Sequence, residues 1–272
     1  MFETLVEGKT KIVTINERGT VFIFNKDAIT AGDGLKKDTI PGKGELATRT
    51  TCNMFQLLQF YGIATHYIKT VDASTFEARR VKMIPIEVVV RRYAMGSYLK
   101  RNPTVEKGRK FEFVKVEMFA KDDEKHDPMI DFDFTGGGKI SFYNPHKPMT
   151  DGYLYSEPLA DHYSDISPRV AIKMELTAQK AFCIIEEAWR QFGGKLCDFK
   201  IEFGIDTDTG ELLIADVIDS DSWRLLFGNE EKDKQAYRDG SKPLEKIMED
   251  YAYVADLSDK IVSAAVEARC KP

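Results

Sequence analysis

Cys197, Phe199, Ile201, Phe203 and Ile205 alternate with Asp198, Lys200 and Glu202, the period-two pattern of a strand with one apolar and one polar face. The turn-forming run 206–210 (DTDTG) then returns the chain into 211–218 (ELLIADVI), which predicts a hairpin. A second hairpin is predicted near the start, where β-branched runs at 11–15 and 20–24 flank Asn16, Glu17, Arg18 and Gly19. Further strands are expected at about 65–69 and 86–92. Between them the period changes. Met54, Leu57, Leu58 and Tyr61 fall at i, i+3, i+4 and i+7, predicting a helix over 44–61 that Gly62 terminates. After Ser167 and Pro168, a cap and a proline that a first turn tolerates, one stripe carries Ala178, Ala181, Phe182, Ile185, Ala188, Trp189 and Phe192 up to Gly193-Gly194. A last helix begins near 241–243, with Leu244, Ile247, Met248 and Tyr251 on one side. Residues 122–168 contain Gly136-Gly137-Gly138, several prolines and scattered aromatics without a sustained period, so most of this segment is expected to run over the surface. Strands first and long helices last predict an α+β fold, with an antiparallel β-rich N-terminal lobe at 1–83 and a mixed C-terminal lobe at 84–272.

The length of 272 residues allows one large domain or two intertwined ones. With 43% hydrophobic and 31% charged residues, disordered and collagen-like classes are excluded. No apolar run approaches the roughly 18 residues of a membrane span. Charge at Glu3, Glu7, Lys9 and Lys11 argues against a signal or transit peptide, and a cytoplasmic address is expected. Cys52, Cys183, Cys197 and Cys270 match no zinc spacing and are too sparse for a disulfide scaffold, so they read as reduced thiols. The net charge of -5 hides a division: residues 1–100 hold 15 basic and 10 acidic side chains, the remainder 24 and 34. A basic first third attracts phosphate, whereas an acidic remainder disfavours a wrapped polyanion. Small phosphorylated ligands are therefore expected rather than nucleic acid.

Three constellations carry candidate chemistry. If the 206–210 turn is symmetric about Asp208, Asp216 faces Lys200 and lies diagonal to Glu202. Two carboxylates and a lysine then converge, a set that suits Mg²⁺ and a phosphate oxygen. The alternative is a cross-strand salt bridge on a solvated face, and a one-residue slip in register would separate the groups. The second constellation is Glu7-Gly8-Lys9-Thr10-Lys11, a glycine turn leading to two lysines on one strand face. It is not a Walker A loop, since Glu3 stands where the first glycine would be, and lysine on a blunted edge strand is the competing reading. The segments 31–34 (AGDG) and 41–44 (PGKG) either cradle phosphate through backbone N–H groups or are simple turns. The third is 83–101, where an apolar strand ends in Arg91 and Arg92 and Gly96-Ser97 open a short helical piece. Guanidinium forks beside a helix start favour a dianionic phosphate; a basic exposed turn is the alternative. A generic ATP-dependent phosphotransferase and a non-enzymatic nucleic-acid-binding protein are the competing functional classes.

The segments EGKTK, AGDG, PGKG, MIPIEVVVRRYAMGSYLKRNP, DFKIEFG and ADVIDSDSWRL, in this order and spacing, resemble the SAICAR synthetase family of de novo purine biosynthesis over nearly the whole chain. IEFG, ADVIDSDSWRL and KDKQAYRD look especially like the synthetase domain of the bifunctional animal enzyme; its carboxylase domain has no counterpart here. The resemblance implies a two-lobed, ATP-grasp-like, kinase-related fold with nucleotide between the lobes, and ATP and Mg²⁺ as cofactors. The implied reaction joins CAIR (carboxyaminoimidazole ribonucleotide) to L-aspartate, giving SAICAR, ADP and phosphate through an acyl phosphate. Carried onto matching positions, Lys9 and Lys11 would cover the ATP phosphates, and backbone at Lys82 and Met83 would meet adenine. Glu202 and Asp216 would hold Mg²⁺, with Lys200 neutralising the transferring phosphoryl group or the substrate carboxylate. Arg91 and Ser97 would bind the phosphoribosyl group with Lys100 nearby, while Asp221 and Arg224 would contact the imidazole. Asp33 is a supporting partner and Asp127 lies near the substrate.

Two departures from the family pattern stand out. Bacterial members commonly carry an EFSPD-type sequence where this chain has 217–221 (VIDSD), which leaves Asp219 without an assigned role. Residues 129–165 match no family motif and read as a lid, an oligomer contact or an insertion; Asp161, His162 and Asp165 within it are a candidate metal cluster or a solvated turn. Homo-oligomerisation without nucleic acid or membrane partners completes the expectation.

Overall fold

The structure, a computed structural model, describes residues 2–32, 34–136, 138–159, 163–164 and 166–270. Asp33 and the candidate cluster Asp161, His162 and Asp165 lie outside the described residues. Two antiparallel sheets and three long helices make up the fold. The first sheet has five strands in the order β1 (Phe2–Glu7), β2 (Lys11–Asn16), β3 (Val21–Asn25), β7 (Thr75–Ala78) and β6 (Tyr67–Thr70). A small ribbon of β4 (Ala28–Ala31) and β5 (Lys36–Thr39) precedes helix α1 (Lys43–Phe60). The predicted β2–β3 hairpin is present, with Val13 opposite Ile23. Helix α1 ends as expected before Gly62, whose φ of 77° closes it in the left-handed region.

The second sheet is centred on two long strands, β8 (Val81–Tyr93) and β13 (Gly194–Asp206). Outside β8 lie β9 (Lys110–Ala120), β10 (Met129–Asp133), β11 (Lys139–Tyr143) and β12 (Tyr153–Pro158). Outside β13 lie β14 (Leu212–Ala215), β15 (Trp223–Phe227) and β16 (Glu230–Glu231). Much of 122–168 is thus not the surface excursion its sequence suggested: β10, β11 and β12 extend the sheet and bury Ile130, Ile140 and Phe142. These strands are five or six residues long, too short between glycines and prolines for a period to emerge.

Helix α2 (Ser97–Arg101) follows β8, α3 (Pro168–Gln191) precedes β13, and α4 (Gln235–Asp239) and α5 (Leu244–Cys270) close the chain. The Ser167 side chain accepts a hydrogen bond from the Val170 amide and caps α3. Its predicted stripe is the buried one: Ala178, Ala181, Phe182, Ile185 and Trp189 are fully enclosed. That stripe packs on Val88, Val90, Phe199 and Ile201, with Phe182 and Phe199 in edge contact at 5.3 Å. A period-two strand must turn its other residues the opposite way. Covering one sheet face with α3 therefore leaves Glu87, Arg91, Asp198, Lys200 and Glu202 together on the reverse face, paired as Asp198 with Arg91 and Glu202 with Glu87.

Candidate active site

The reverse face of β8 and β13 floors a cavity of about 370 Å³. Lys9, Lys11, Asn25, Lys26 and Thr30 line it from the N-terminal strands, Lys43 from the start of α1, and Asp216, Asp219, Asp221 and Lys234 from the segments after β14 and β16. Four basic residues of the first third, Lys9, Lys11, Lys26 and Lys43, thus converge on one small cavity, which suits a compact phosphorylated ligand better than a polyanion.

The expected register of the 206–211 hairpin is corrected by one residue. Asp206 Oδ1 accepts the amides of Asp208 and Thr209 at 2.9 and 3.0 Å, and this side-chain-closed turn pairs Glu202 with Ala215. Asp216 therefore stands beyond the strand instead of opposite Lys200. It still reaches the site because its φ is 67°, a left-handed conformation uncommon for a side-chain-bearing residue. Its carboxylate takes the ammonium of Lys11. Glu202, 2% exposed, is held between Lys200 at 2.8 Å and Lys121 at 2.5 Å, and Lys200 also reaches Glu87 at 3.0 Å. Convergence survives the slip because the cavity, not the ladder, brings the groups together.

Burial opposes every charge here, so neighbours decide each state. Burial alone would raise the Asp216 carboxyl, but Lys11, Lys200 and Lys121 outweigh it and hold it below the usual range. Burial would neutralise Lys200, yet Glu202, Glu87 and Asp216 hold it well above the ordinary lysine value. Glu87 is lowered by Lys200 and Lys121 against its own burial. A second cluster surrounds Asp221, which takes Lys43 at 3.1 Å, Lys234 at 3.3 Å and the Tyr251 hydroxyl at 2.7 Å. Burial raises Asp219 and the charge of Asp221 adds to it, while Lys43 and Lys234 draw Asp221 down against burial.

Further along the same strand face, Asp198 joins two arginines. Arg224 donates to both its oxygens at 2.7 and 2.9 Å, and Arg91 to one at 3.1 Å. Arg91 also reaches Glu117 at 2.6 Å and Ser97 at 3.3 Å, and Arg101 meets the other Glu117 oxygen at 2.5 Å. Arg91 lies beside Ser97, buried rather than projecting, whereas Arg224, expected with Asp221, shares Asp198 with Arg91 while Asp221 pairs with Lys43 and Lys234. Lys100 is exposed on α2. Lys82 and Met83 are exposed on β8 and do not line the cavity. Asp127 accepts the Asp122 amide at 2.8 Å and ties the base of the turn Asp123–Lys125, where Asp123 takes Lys9 at 2.7 Å.

Sequence reasoning missed Glu87, Lys43, Lys121, Lys234 and Asp198. Glu87 was discoverable: it lies four residues before Arg91 in an apolar strand and so shares its face. Lys43 sits in PGKG, which was read for its backbone. Lys121 and Lys234 lie in charged stretches where nothing in the pattern marks one lysine over the next.

Among the described residues no group of three or more histidine, cysteine, aspartate or glutamate side chains is disposed to hold a metal. The two-carboxylate set of Glu202 and Asp216 fits Mg²⁺, which typically takes one or two protein carboxylates and fills its remaining positions with water and phosphate oxygens.

The SAICAR synthetase family matches residues 4–254 of the chain. A phosphoribosylaminoimidazole-succinocarboxamide synthase of Roseiflexus sp. strain RS-1 is 39% identical over 270 residues, covering 96% of this chain and 98% of that protein. The bifunctional phosphoribosylaminoimidazole carboxylase/phosphoribosylaminoimidazole succinocarboxamide synthetase of Mus musculus is 37% identical over 274 residues, 97% of this chain and 60% of that protein. Special likeness to the animal enzyme, expected from IEFG, ADVIDSDSWRL and KDKQAYRD, is not selective, since the bacterial enzyme is as similar. Among solved structures, the phosphoribosylaminoimidazole-succinocarboxamide synthase of Ehrlichia chaffeensis aligns with a TM-score of 0.78 at 29% identity, covering 94% of this chain and 98% of that one. A SAICAR synthetase in complex with ADP aligns with the same score and identity, covering 94% and 97%. The α+β architecture, the order of the motifs and these likenesses agree: the chain belongs to the SAICAR synthetase family.

Proposed function

We propose that the cavity between the two sheets is where ATP activates the carboxylate of CAIR for attack by L-aspartate, in the ligase reaction of this family. A carboxylate does not condense with an amine at neutral pH because its leaving group would be oxide. Transfer of the γ-phosphoryl group to a CAIR carboxylate oxygen releases ADP and leaves an acyl phosphate. The aspartate amine then attacks the acyl carbon, loses a proton and expels phosphate. Such chemistry needs positioning and charge neutralisation rather than a protein nucleophile.

The observation that carries this reading is the lysine–carboxylate lattice of Lys11, Lys121 and Lys200 with Glu87, Glu202 and Asp216. A polyphosphate and a cation would exchange partners with it, phosphate oxygens taking the ammonium groups and the cation taking Glu202 and Asp216. Mg²⁺ bound there would neutralise charge on the transferring phosphoryl group. Lys9 and Lys11 hold the ATP phosphates and Lys200 faces the γ-phosphoryl group and the CAIR carboxylate. Arg91 and Ser97 hold the phosphoribosyl end, two residues along β13 and so about 7 Å away, and Arg224, expected at the imidazole, joins them because it shares Asp198 with Arg91. Lys100 lies beside them, and Asp221 is placed toward the imidazole. Adenine lies along the backbone at Lys82 and Met83. In this reading the chain divides into lobes at 1–83 and 84–272 with the nucleotide between them, β8 crossing from one to the other.

No helix among the described residues is long and apolar enough to cross a membrane, and Cys52, Cys183 and Cys197 are free thiols. A cytoplasmic, homo-oligomeric enzyme completes the proposal. The experiment is ADP release and product mass with ATP, Mg²⁺ and CAIR, with and without L-aspartate. Aspartate-dependent ADP release with a succinyl-bearing product is expected, and Glu202→Gln or Asp216→Asn should lower kcat on the order of 100-fold in a folded protein. ADP release that ignores aspartate, or full activity in both variants, would contradict it.

A further inference from the structure

Asp216 is one of three described non-glycine residues with positive φ, the others being His126 and Asp127 directly after the Asp123–Lys125 turn. A left-handed conformation is uncommon for a residue with a side chain and persists only where surrounding structure over-determines it. Ala64–His66 supplies that determination. This segment runs beside the outer edge of β14: the Ile214 amide donates to Ala64 O at 3.1 Å, the His66 amide to Ile214 O at 2.9 Å, and Thr65 bridges Ile214 in parallel. The His66 ring then reaches past the end of the strand, with Nε2 3.1 Å from the main-chain oxygen of Asp216. A carbonyl oxygen can only accept, so Nε2 carries the proton. The ring cannot swing away. It is buried, set edge-on against Phe55 at 5.3 Å and Phe76 at 5.8 Å, and its own carbonyl accepts the Arg79 amide at 2.7 Å.

We propose that His66 is a positioning residue: its Nε2–H fixes the peptide after Asp216 and thereby aims the Asp216 carboxylate into the cavity at the proposed cation site. The inference rests on the metal reading of Asp216 given above. Without the donor, the peptide is free to relax toward ordinary backbone conformations, and the carboxylate leaves its position beside Lys11. Groups that orient a metal ligand typically change metal affinity by about 10- to 100-fold when removed.

The test uses Mn²⁺ as the probe, its binding to the full chain in the presence of ADP followed by electron paramagnetic resonance. His66→Leu removes the donor, His66→Met does so with a more adaptable side chain should the leucine variant not fold, and His66→Gln restores an Nε2–H donor of similar reach. Weakening of Mn²⁺ binding on the order of tenfold is expected in the donor-free variant, recovery in His66→Gln, and a CAIR KM close to the parent value in both. Equal weakening in His66→Gln and the donor-free variant would overturn the proposal by reducing His66 to packing between Phe55 and Phe76. Asp216→Asn separates the two claims. Unchanged Mn²⁺ binding there overturns the metal reading and this inference with it. Weakened binding there, with parent-like binding in the donor-free His66 variant, overturns the role of His66 alone.

Discussion

Gly96 adopts φ 57° and ψ -136°, a conformation that L side chains rarely adopt. A β-carbon on it would overlap the guanidinium of Arg224, lying 2.6 Å from Cζ. The missing side chain is thus what lets Arg224 rest against Gly96 while it holds Asp198. Gly96→Ala should displace that guanidinium and raise the KM for CAIR on the order of tenfold, the loss of about one charge-assisted hydrogen bond, while the KM for ATP stays near the parent value. Titration of both substrates checks this, and an unchanged CAIR requirement would contradict the placement of Arg224. At this scale the sequence was informative wherever alternation put polar residues on a known face: Lys200, Glu202 and Arg91 all lie where period two sends them. It was uninformative for His66 and Lys43, whose significance depends on a partner 150 and 178 positions away.

Between β16 and α4, Asp233 ties two elements together by accepting the amides of Leu225 at 2.8 Å and Gln235 at 2.7 Å. It is 1% exposed, and burial pushes its carboxyl up to about 6 despite those two donors. A carboxyl raised on folding contributes stability that is fully present below the unfolded value near 4 and is lost as pH rises through the folded value. The shift corresponds to about 3 kcal/mol at most. Asp233→Asn stays neutral but keeps one acceptor where the parent has two. It should melt below the parent at about pH 4, with the gap narrowing as pH approaches about 7. Thermal melts across that window test this; a constant or widening gap would contradict it. Element by element, the helices were legible because α1 and α3 repeat an apolar stripe over several turns. The hairpin register was not, because the Asp206 side chain closes its turn and shifts every pair by one. The strands β10 to β12 were hidden by their brevity, and their burial comes from neighbours distant in sequence.

Across the whole molecule, a continuous hydrophobic core joins both sheets with α1, α3 and α5, and the charge is partitioned around it. The basic excess of the first hundred residues supplies Lys9, Lys11, Lys26 and Lys43 to the cavity, and the acidic remainder supplies Glu202, Asp216, Asp219 and Asp221 together with Lys121, Lys200 and Lys234. That division was visible in the sequence, but not that both halves would face one cavity, since this depends on which sheet face α3 covers. The central claim is that this volume activates a carboxylate by phosphorylating it. The most direct measurement follows heavy oxygen placed in the CAIR carboxylate through a turnover with unlabelled ATP and L-aspartate. Phosphoryl transfer to that carboxylate predicts one heavy oxygen in each released phosphate, carried there when the amine displaces it. Phosphate free of the label would contradict the acyl phosphate and the role given to Lys200.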